Sequence, residues 1–485
     1  MTVRKEDLVA LRQVVSSWPA EASSDAHGIQ AASGNELYAP ASHAAALDPN
    51  APIVRGARGT GKSFWASVLN DSALRQDAAT AYPRLGLADL DVRLGFTGLA
   101  GIEGIDKEKL DACVPAEASS EDARRFWWAT ILRAVELAEG KSPQPLRNLL
   151  PVAGDVEARE TLLNSFEQAS RQRRRRLLVV YDALDTVAID WPRRRLVTQA
   201  LFEVVWALRA YATIRPKLFL RSDQLDDDAF TFVEIPKLRT AAVKLAWSGM
   251  DLYSLLFVRL VLGEGGSAFA ALSKSLRLPT PTRLQILARD WIVLRDAESQ
   301  ERIMAALAGR YMAAGPHGHK KGSTYDWPLN HLGDAFGEVT PRSFLALLTG
   351  AAQREPAPQE GIFKPDGLRH GLRLASRMRV DQLHLEFKWI KGVLAPLAGL
   401  LLPKAEKDVL AVWRKAKTVS IVLEDAKHNG YLPPFPLHPP PSERDLVTAM
   451  QSIGVMSRRA DDRLDMPDLF RVAAKLLKKG GTAPV

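Results

Sequence analysis

The strongest constraint on this sequence lies in residues 51–69, APIVRGARGTGKSFWASVL. A short apolar strand, Pro52–Val54, runs into a glycine-rich turn that opens a predicted helix. Glycines allow successive backbone N–H groups to curl round a phosphate, and the N-terminus of the helix adds partial positive charge. The residues that fit or adjoin the pattern G-x-x-x-x-G-K-[ST] are Gly56, Gly59, Thr60, Gly61, Lys62, Ser63 and Phe64. This segment predicts a nucleotide-binding loop; a glycine turn before an ordinary helix is the alternative.

Two side chains of this pattern have specific chemical roles. Lys62 can reach the β- and γ-phosphates of a nucleotide, and the Ser63 hydroxyl can hold Mg²⁺. The sequence therefore predicts ATP and Mg²⁺ as cofactors, with Lys62 as a catalytic residue and Ser63 as a metal ligand.

A second motif follows a continuous apolar run. Leu177–Tyr181 precedes Asp182-Ala183-Leu184-Asp185. Such a run is typical of a central parallel strand that is buried on both faces, and ligands of open α/β sheets bind at the carboxyl ends of the strands. We expect Asp182 to be the outer-sphere Mg²⁺ carboxylate and Asp185 to orient the attacking water. An acidic turn after a strand is the alternative.

Strands and helices alternate over the first half of the chain. The predicted strands lie at residues 52–54, 87–96, 177–181, 217–220 and 242–247, with helical periodicity between them. This alternation predicts an α/β fold with a parallel sheet and helices on both faces.

These motifs resemble those of the AAA+-type ATPases, and most closely those of the STAND and KAP branches. The resemblance lies in Gly56–Ser63, in Asp182 with Asp185 three residues on, and in Arg221 after the next strand. Those branches typically show hhhhDxxD where many AAA+ motors have an adjacent Asp-Glu. Ala183 follows the first aspartate here, which is a departure from the motor pattern. The resemblance implies that Arg221 senses the γ-phosphate.

The resemblance extends to a helical lid. Residues 337–344, GEVTPRSF, resemble the second-sensor segment of such lids, in which an arginine reaches back to the nucleotide. It implies that role for Arg342; a surface or N-terminal-helix position is the alternative. The family also often supplies an arginine in trans to a neighbouring subunit's nucleotide. The candidates are Arg239 and residues 193–195, with solvated charge as the alternative for each.

The sequence divides into four predicted parts. Residues 1–260 form a P-loop ATPase core that includes an N-terminal helix, residues 261–353 a helical lid, and residues 354–431 a linker and helical region. Residues 432–485, which begin with the proline-rich stretch 433–441, resemble a winged-helix module. Within it we predict a helix at Ser442–Gly454 with Ser442 as its cap, a hairpin over residues 455–466, and a closing helix at Pro467–Leu477.

Composition excludes some classes of protein. A single cysteine, Cys113, excludes an internal disulfide framework and disfavours a cysteine-based zinc site. The N-terminal residues lack the apolar core of a signal peptide, and the longest apolar run, residues 392–403, is too short to span a bilayer. We therefore expect a soluble, cytoplasmic protein without membrane contact. The net charge of +9 permits a polyanionic partner or reflects a solvated basic surface.

Two functions are consistent with the sequence. The first is an ATP-dependent molecular switch that assembles with itself or with an effector protein, as in bacterial conflict and anti-phage systems. The second is a DNA- or RNA-dependent ATPase, such as a loader or remodeller. For the second, nucleic acid would contact the hairpin through Arg458, Arg459 and Arg463, whereas Arg173–Arg176 is predicted at the edge of the sheet opposite the nucleotide. A small-molecule kinase is disfavoured because so much helical sequence follows the core.

Overall fold

The computed structural model of the chain describes residues 4–19, 34, 37–101, 103–188, 190–225, 230–435 and 440–484. By their contacts the residues form two units. We call Ser24–Ala246 the sheet unit, and Met1–Ser23 with Trp247–Val485 the helical unit. The first helix, α1 (Lys5–Ser17), belongs to the helical unit, whereas the sequence division groups it with the core.

The sheet unit is built on a five-stranded parallel sheet, which confirms the predicted fold class. Its strands are β1 (Ile53–Arg55), β2 (Leu90–Leu94), β3 (Arg176–Tyr181), β4 (Ile214–Leu220) and β5 (Val243–Lys244). Their order in the sheet is β2-β3-β4-β1-β5. Because the strands are parallel, the loop after β1 and the acidic residues after β3 lie at the same edge of the sheet, with β4 between them.

Helices cover both faces of this sheet because its central strands are apolar on both sides. Residues 177–181 of β3 are each exposed by 1% or less. Trp127, from the longest helix of the unit, is fully buried, and its indole N–H donates to the carbonyl of Val197 at 2.8 Å. The helices are α2 (Ala44–Leu47), α3 (Lys62–Asn70), α4 (Ser72–Ala81), α5 (Lys107–Cys113), α6 (Ser120–Ala138), α7 (Leu146–Gly154), α8 (Val156–Arg173), α9 (Trp191–Ala207), α10 (Ser222–Leu225) and α11 (Ile235–Ala241).

Two buried charges hold β4 in place. The Glu167 carboxylate accepts from the backbone N–H groups of Ala212 and Thr213, both at 2.9 Å, and fixes the start of the strand. Lys217, in the middle of β4, is completely buried, and its ammonium donates to the carbonyls of Ala46, Asp48 and Ala51. Lys217 thereby ties the end of α2 and the approach to β1 to the centre of the sheet.

The helical unit is organised around a pair of closely packed helices. They are α17 (Pro341–Gln353) and α18 (Pro365–Glu386), and a Cβ at Gly371 would lie 1.9 Å from the carbonyl oxygen of Leu347. Helix α1 packs against α17, and its Leu11 and Val15 are fully buried. The helices that precede this pair are α12 (Gly249–Leu262), α13 (Gly266–Ser275), α14 (Arg283–Leu287), α15 (Ala297–Ala308) and α16 (Asp326–Leu332). Those that follow it are α19 (Ile390–Leu394), α20 (Glu406–Lys415), α21 (Thr418–Asn429), α22 (Glu443–Ser452) and α23 (Asp468–Arg471).

The C-terminal residues contain the predicted hairpin. Strands β7 (Ser457–Arg458) and β8 (Leu464–Asp465) pair antiparallel, and α22 before them is capped by Ser442. Leu464 also bridges to Lys404, so residues well before the proline-rich stretch belong to the same arrangement. The closing helix is shorter than predicted. After the single turn of α23 the backbone turns at Lys475 (φ 58°), and β9 (Leu477–Lys478) pairs with β6 (Leu401–Leu402).

No single helix in the described residues is long and apolar enough to cross a membrane. Helices α12 and α13 together have the length and composition of a membrane span, but they are bent by 116° at the break between them.

Candidate nucleotide site

The glycine-rich loop links β1 to α3 as the sequence predicts. Gly61 is the N-cap of α3 with φ 97°, a left-handed conformation that costs least for glycine. Inside the loop, the Thr60 hydroxyl donates to the carbonyl of Ala57 at 2.8 Å. A Cβ at Gly56 would lie 2.6 Å from that hydroxyl oxygen, so only glycine fits beside the inward-turned threonine.

Lys62, the first residue of α3, is folded back over the loop. Its ammonium donates to the carbonyls of Gly56 at 2.7 Å and Ala57 at 2.9 Å. These contacts hold the cation beside the loop backbone. Binding of a phosphate would require the ammonium to exchange them for phosphate oxygens.

Ser63 and Asp182 meet at the carboxyl ends of β1 and β3. Asp182 is exposed by only 2%, and its carboxylate accepts from the Ser63 hydroxyl and from the backbone N–H of Ala183. Among the described residues the Oδ2 atom of Asp182 has no hydrogen-bond partner. Burial raises the pKa of Asp182, and the contact with Ser63 offsets only part of that rise. A buried carboxylate oxygen without a partner, next to a serine hydroxyl, is the oxygen donor set that Mg²⁺ prefers, so these residues fit the predicted ion.

Asp185 lies close to Asp182 because the backbone turns sharply between them. Ala183 has φ 52°, a left-handed conformation that is uncommon for alanine, and Asp185 follows in the short 3₁₀ turn Leu184–Thr186. The Asp185 carboxylate is 2.8 Å from the Arg58 guanidinium. Its distance from the Arg221 guanidinium is 3.6 Å.

The two carboxylates of the site have opposite electrostatic environments. Burial alone would raise the pKa of Asp185, but Arg221, Arg58 and Lys62 together hold it below its usual value. Burial raises the pKa of Asp182, as described above. Neighbouring acids whose pKa values are pushed apart are typical of functional sites.

Arg221, the predicted γ-phosphate sensor, lies at the end of β4 and is exposed by 6%. It forms two hydrogen bonds to Asp223, from Nε at 2.9 Å and from Nη2 at 2.6 Å. Its position next to Asp185 places it at the same edge as the loop. Its sensing role stays a prediction.

The remaining predicted nucleotide contacts lie in different surroundings. Phe64 packs edge-on against Trp65, with 5.8 Å between the ring centroids. Arg342 lies at the start of α17 in the helical unit, and its role as a second sensor stays a prediction. His43, in the short 3₁₀ turn before α2, is buried and accepts from the Trp65 indole N–H at 3.1 Å. Its other ring nitrogen then donates to the carbonyl of Ala246, so ordinary packing accounts for this histidine.

The arginines proposed to act in trans make contacts within their own chain. Arg193 donates to the carbonyls of Pro115 and Val114 and pairs with Asp111 at 2.8 Å. Arg194 donates to the carbonyl of Ala188 at 2.8 Å and lies near Arg221, and burial together with Arg221 lowers its pKa. Arg239 donates to the carbonyl of Leu225. Arg195 likewise interacts with other groups of the chain.

The two predicted basic clusters lie in different units. Arg173–Arg176 is at the amino end of β3, opposite the glycine-rich loop, and the left-handed Arg174 (φ 53°) ends α8. In the hairpin each arginine faces a carboxylate. The ion pairs are Arg458 with Glu406 and with Asp462, Arg459 with Asp465, and Arg463 with Asp461.

Sequence reasoning missed Arg58 as a site residue. It occupies a position of the loop pattern at which any residue is allowed, and its partner Asp185 is 127 residues away. A charged residue inside an otherwise small-residue loop was the one available signal.

Comparisons with known proteins do not assign this chain to a family. No family model matches the sequence, and none of the curated proteins matches it. Among solved structures, the ORC2 protein of Aeropyrum pernix in its ADPNP–ADP complexes is similar over 90% of this chain and 93% of its own, at 13% identity and a TM-score of 0.31. The class of this protein is therefore defined by its own fold and site: a parallel α/β sheet with a phosphate-binding type of loop between β1 and α3, joined to helical regions.

Proposed function

We propose that this chain is a Mg²⁺-dependent molecular switch that binds and hydrolyses ATP, built on an AAA+-type core. One observation carries the proposal. Ser63 and the buried Asp182 are in contact at the edge where the glycine-rich loop lies, and a carboxylate oxygen of Asp182 has no partner in the described part of the chain. An uncompensated buried carboxylate is costly, and a bound cation would remove that cost.

The residues of the site then divide the work. The loop amides and Lys62 bind the phosphates, and Ser63 and Asp182 hold Mg²⁺, which would neutralise charge on the β- and γ-phosphates. Asp185 orients the attacking water and accepts hydrogen bonds from it. Arg221, beside Asp185, stabilises charge on the terminal phosphate.

A switch function is supported by the resemblance to the STAND and KAP branches. The helical unit, Met1–Ser23 with Trp247–Val485, is larger than the sheet unit and offers surfaces on which a nucleotide state can be reported. We infer that nucleotide binding drives assembly with itself or with an effector protein, in a bacterial defence or regulatory complex.

The alternative, a DNA- or RNA-dependent ATPase, is less well supported. The hairpin arginines at 458, 459 and 463 are ion-paired to carboxylates on the hairpin or on α20. A phosphate backbone would have to compete with these carboxylates. The net charge of this surface therefore gives little attraction for a polyanion.

Substitution of the loop lysine tests the proposal. Lys62→Ala should weaken binding of Mg²⁺-ATP at least about 100-fold, because one charge-assisted phosphate contact contributes several kcal/mol. Binding is measured by calorimetry and turnover by phosphate release. Lys141→Ala is the matched control, since Lys141 is an exposed lysine of the same unit that pairs with Glu139. Near-normal binding and turnover in a folded Lys62→Ala chain would contradict the proposed function.

A further inference from the structure

The ion pair between Arg58 and Asp185 joins the glycine-rich loop to the acidic turn after β3. The guanidinium Nη2 lies 2.8 Å from Asp185 Oδ2, and both side chains are largely buried, with exposures of 15% and 19%. Arg221 approaches the same oxygen at 3.6 Å. One carboxylate oxygen of Asp185 is thus shared by two guanidinium groups, and one of these belongs to the loop itself.

This pairing conflicts with the proposed task of Asp185. A carboxylate that orients water must accept a hydrogen bond from that water, and Arg58 and Arg221 compete with the water for Oδ2. The surrounding cations also make the carboxylate a weaker base, since they outweigh burial and lower the pKa of Asp185. In the arrangement seen here Asp185 is therefore held in an unproductive contact.

Arg58 has a second class of partner available. It lies between Gly56 and Gly59, on the loop whose backbone amides are predicted to surround the phosphates. Guanidinium groups bind carboxylates and phosphates with the same paired hydrogen-bond geometry, so the two compete directly for one arginine. A nucleotide with a terminal phosphate offers Arg58 a more highly charged partner than Asp185.

We propose that the Arg58–Asp185 ion pair is an autoinhibitory contact that ATP opens. Arg58 exchanges Asp185 for an oxygen of the terminal phosphate, and the freed carboxylate of Asp185 then orients water. This inference rests on the proposed function and adds a mode of regulation to it. The exchange moves no proton and breaks no covalent bond.

The exchange predicts the direction in which the affinity for ATP changes when the ion pair is removed. Any free energy that the ion pair contributes must be given up when ATP binds, so the pair lowers the affinity for ATP. Removal of the carboxylate by Asp185→Asn should therefore tighten binding of a non-hydrolysable ATP analogue, by about tenfold for a coupled pair of this kind. Loss of a catalytic carboxylate would then increase affinity.

A double-mutant cycle on the full chain tests this. Dissociation constants for Mg²⁺-ADPNP are measured by calorimetry for wild type, Asp185→Asn, Arg58→Gln and the double variant. The roughly tenfold gain from Asp185→Asn should fall below about twofold in the Arg58→Gln background. An equal gain in both backgrounds would mean simple relief of charge repulsion and would overturn the proposal. Circular dichroism establishes that each variant is folded.

Two further comparisons assign the partner of Arg58. The gain should persist in an Arg221→Gln background, and its loss there would assign the effect to Arg221 instead. With ADP in place of ADPNP the gain should be smaller, because ADP lacks the terminal phosphate. An equal gain with ADP would contradict the exchange with that phosphate.

A pH profile gives a separate measure. Without Arg58 the pKa of Asp185 in the nucleotide-free enzyme rises, so the acid limb of kcat/KM in Arg58→Gln should move to higher pH by about one unit. An unmoved limb would contradict the contact between the two groups in solution.

Failure of the proposed function is distinguished by Lys62→Ala: if that variant binds ATP normally, the assignment of the nucleotide site itself is wrong. If Lys62→Ala loses binding and Asp185→Asn gives no gain, only the autoinhibitory contact is wrong.

Discussion

At the scale of single residues, the two carboxylates of the site differ in how far neighbouring groups compensate the cost of their burial. Asp185 has cations on two sides, whereas Asp182 has a serine hydroxyl and one backbone N–H. A buried carboxylate with so few partners destabilises the nucleotide-free fold. That destabilisation is tolerable if the oxygen is needed for a metal ion, because functional sites commonly lose stability to retain function.

Asp182→Asn should therefore stabilise the nucleotide-free protein at pH 7, by about 1 kcal/mol, because the amide carries no charge to desolvate. The pKa of Asp182 is raised on folding, so its cost is fully present above the folded pKa. As pH falls towards the unfolded value of about 3.9, the aspartate is protonated and the advantage of asparagine disappears. Thermal unfolding at pH 7 and pH 4 measures this difference.

The same variant should lose the stabilisation that wild type gains from Mg²⁺-ATP, since the proposed metal ligand is gone. Asp185→Asn is the matched control, because it removes the neighbouring carboxylate and should keep or increase that stabilisation. A melting temperature for Asp182→Asn that is lowered at pH 7, or is raised as much as in wild type by Mg²⁺-ATP, would contradict the assignment of Asp182.

The main groups of the site were predictable from sequence, and their contacts were not. Gly56, Lys62, Ser63 and Asp182 stand in local patterns that phosphate and metal chemistry impose on short stretches of chain. Arg58 was missed because ion pairing depends on the approach of segments far apart in sequence. No local period encodes such an approach.

At the scale of elements, the placement of β4 depends on an unusual residue. A lysine in the middle of a buried strand is rare, and burial lowers the pKa of Lys217 to about 7. Its three carbonyl acceptors lie around the end of α2 and the approach to β1. A helix end favours a nearby cation, which compensates part of the cost of burial.

Lys217 should make stability depend on pH in the alkaline range. Its folded pKa lies below the unfolded value of about 10.4, so the unfolded chain binds more protons between pH 7 and pH 10, and stability rises with pH there. Relative to Lys217→Met, wild type should gain about 2 kcal/mol between pH 7 and pH 9. Urea unfolding of both proteins at the two pH values measures this gain, and a constant difference would contradict it.

The hairpin is a second element for which the sequence and the structure indicate different functions. The sequence shows three arginines near a turn, which favours nucleic-acid binding. In the structure these arginines are paired with carboxylates, and one of the carboxylates, that of Glu406, lies outside the hairpin on α20. The acidic partners within the hairpin were visible in the sequence, but Glu406 was not identifiable as one.

Replacement of Arg458, Arg459 and Arg463 by alanine should change duplex DNA affinity less than about twofold, because their charges are already compensated. The slope of affinity against salt should also stay unchanged. Fluorescence anisotropy at several salt concentrations measures both quantities. A uniform loss of affinity with a slope smaller by about three units would support nucleic-acid contact through these arginines instead.

At the scale of the whole molecule, the chain consists of two units. The sheet unit ends at Ala246, within the fifth predicted strand at residues 242–247, whereas the sequence division ends the ATPase core at residue 260. The membership of α1 was not predictable, because its apolar residues Leu11 and Val15 indicate a buried face without naming the surface that covers it. Amphipathic patterns specify burial, and contacts distant in sequence decide the partner.

The proposed switch predicts that the nucleotide state changes the mass of the assembly. Sedimentation or light scattering should show a larger species with Mg²⁺-ADPNP than with ADP or without nucleotide, since the terminal phosphate is the ligand that we propose for Arg58 and Arg221, which both lie beside Asp185. Lys62→Ala should remain in its small form under all conditions, and Lys141→Ala should behave as wild type.

DNA added to each sample separates the two proposed functions. The switch requires nucleotide alone or an effector protein, whereas the DNA-dependent ATPase would form a larger species or hydrolyse ATP only with DNA. A mass that is independent of nucleotide, with turnover stimulated by DNA, would reject the switch in favour of the alternative.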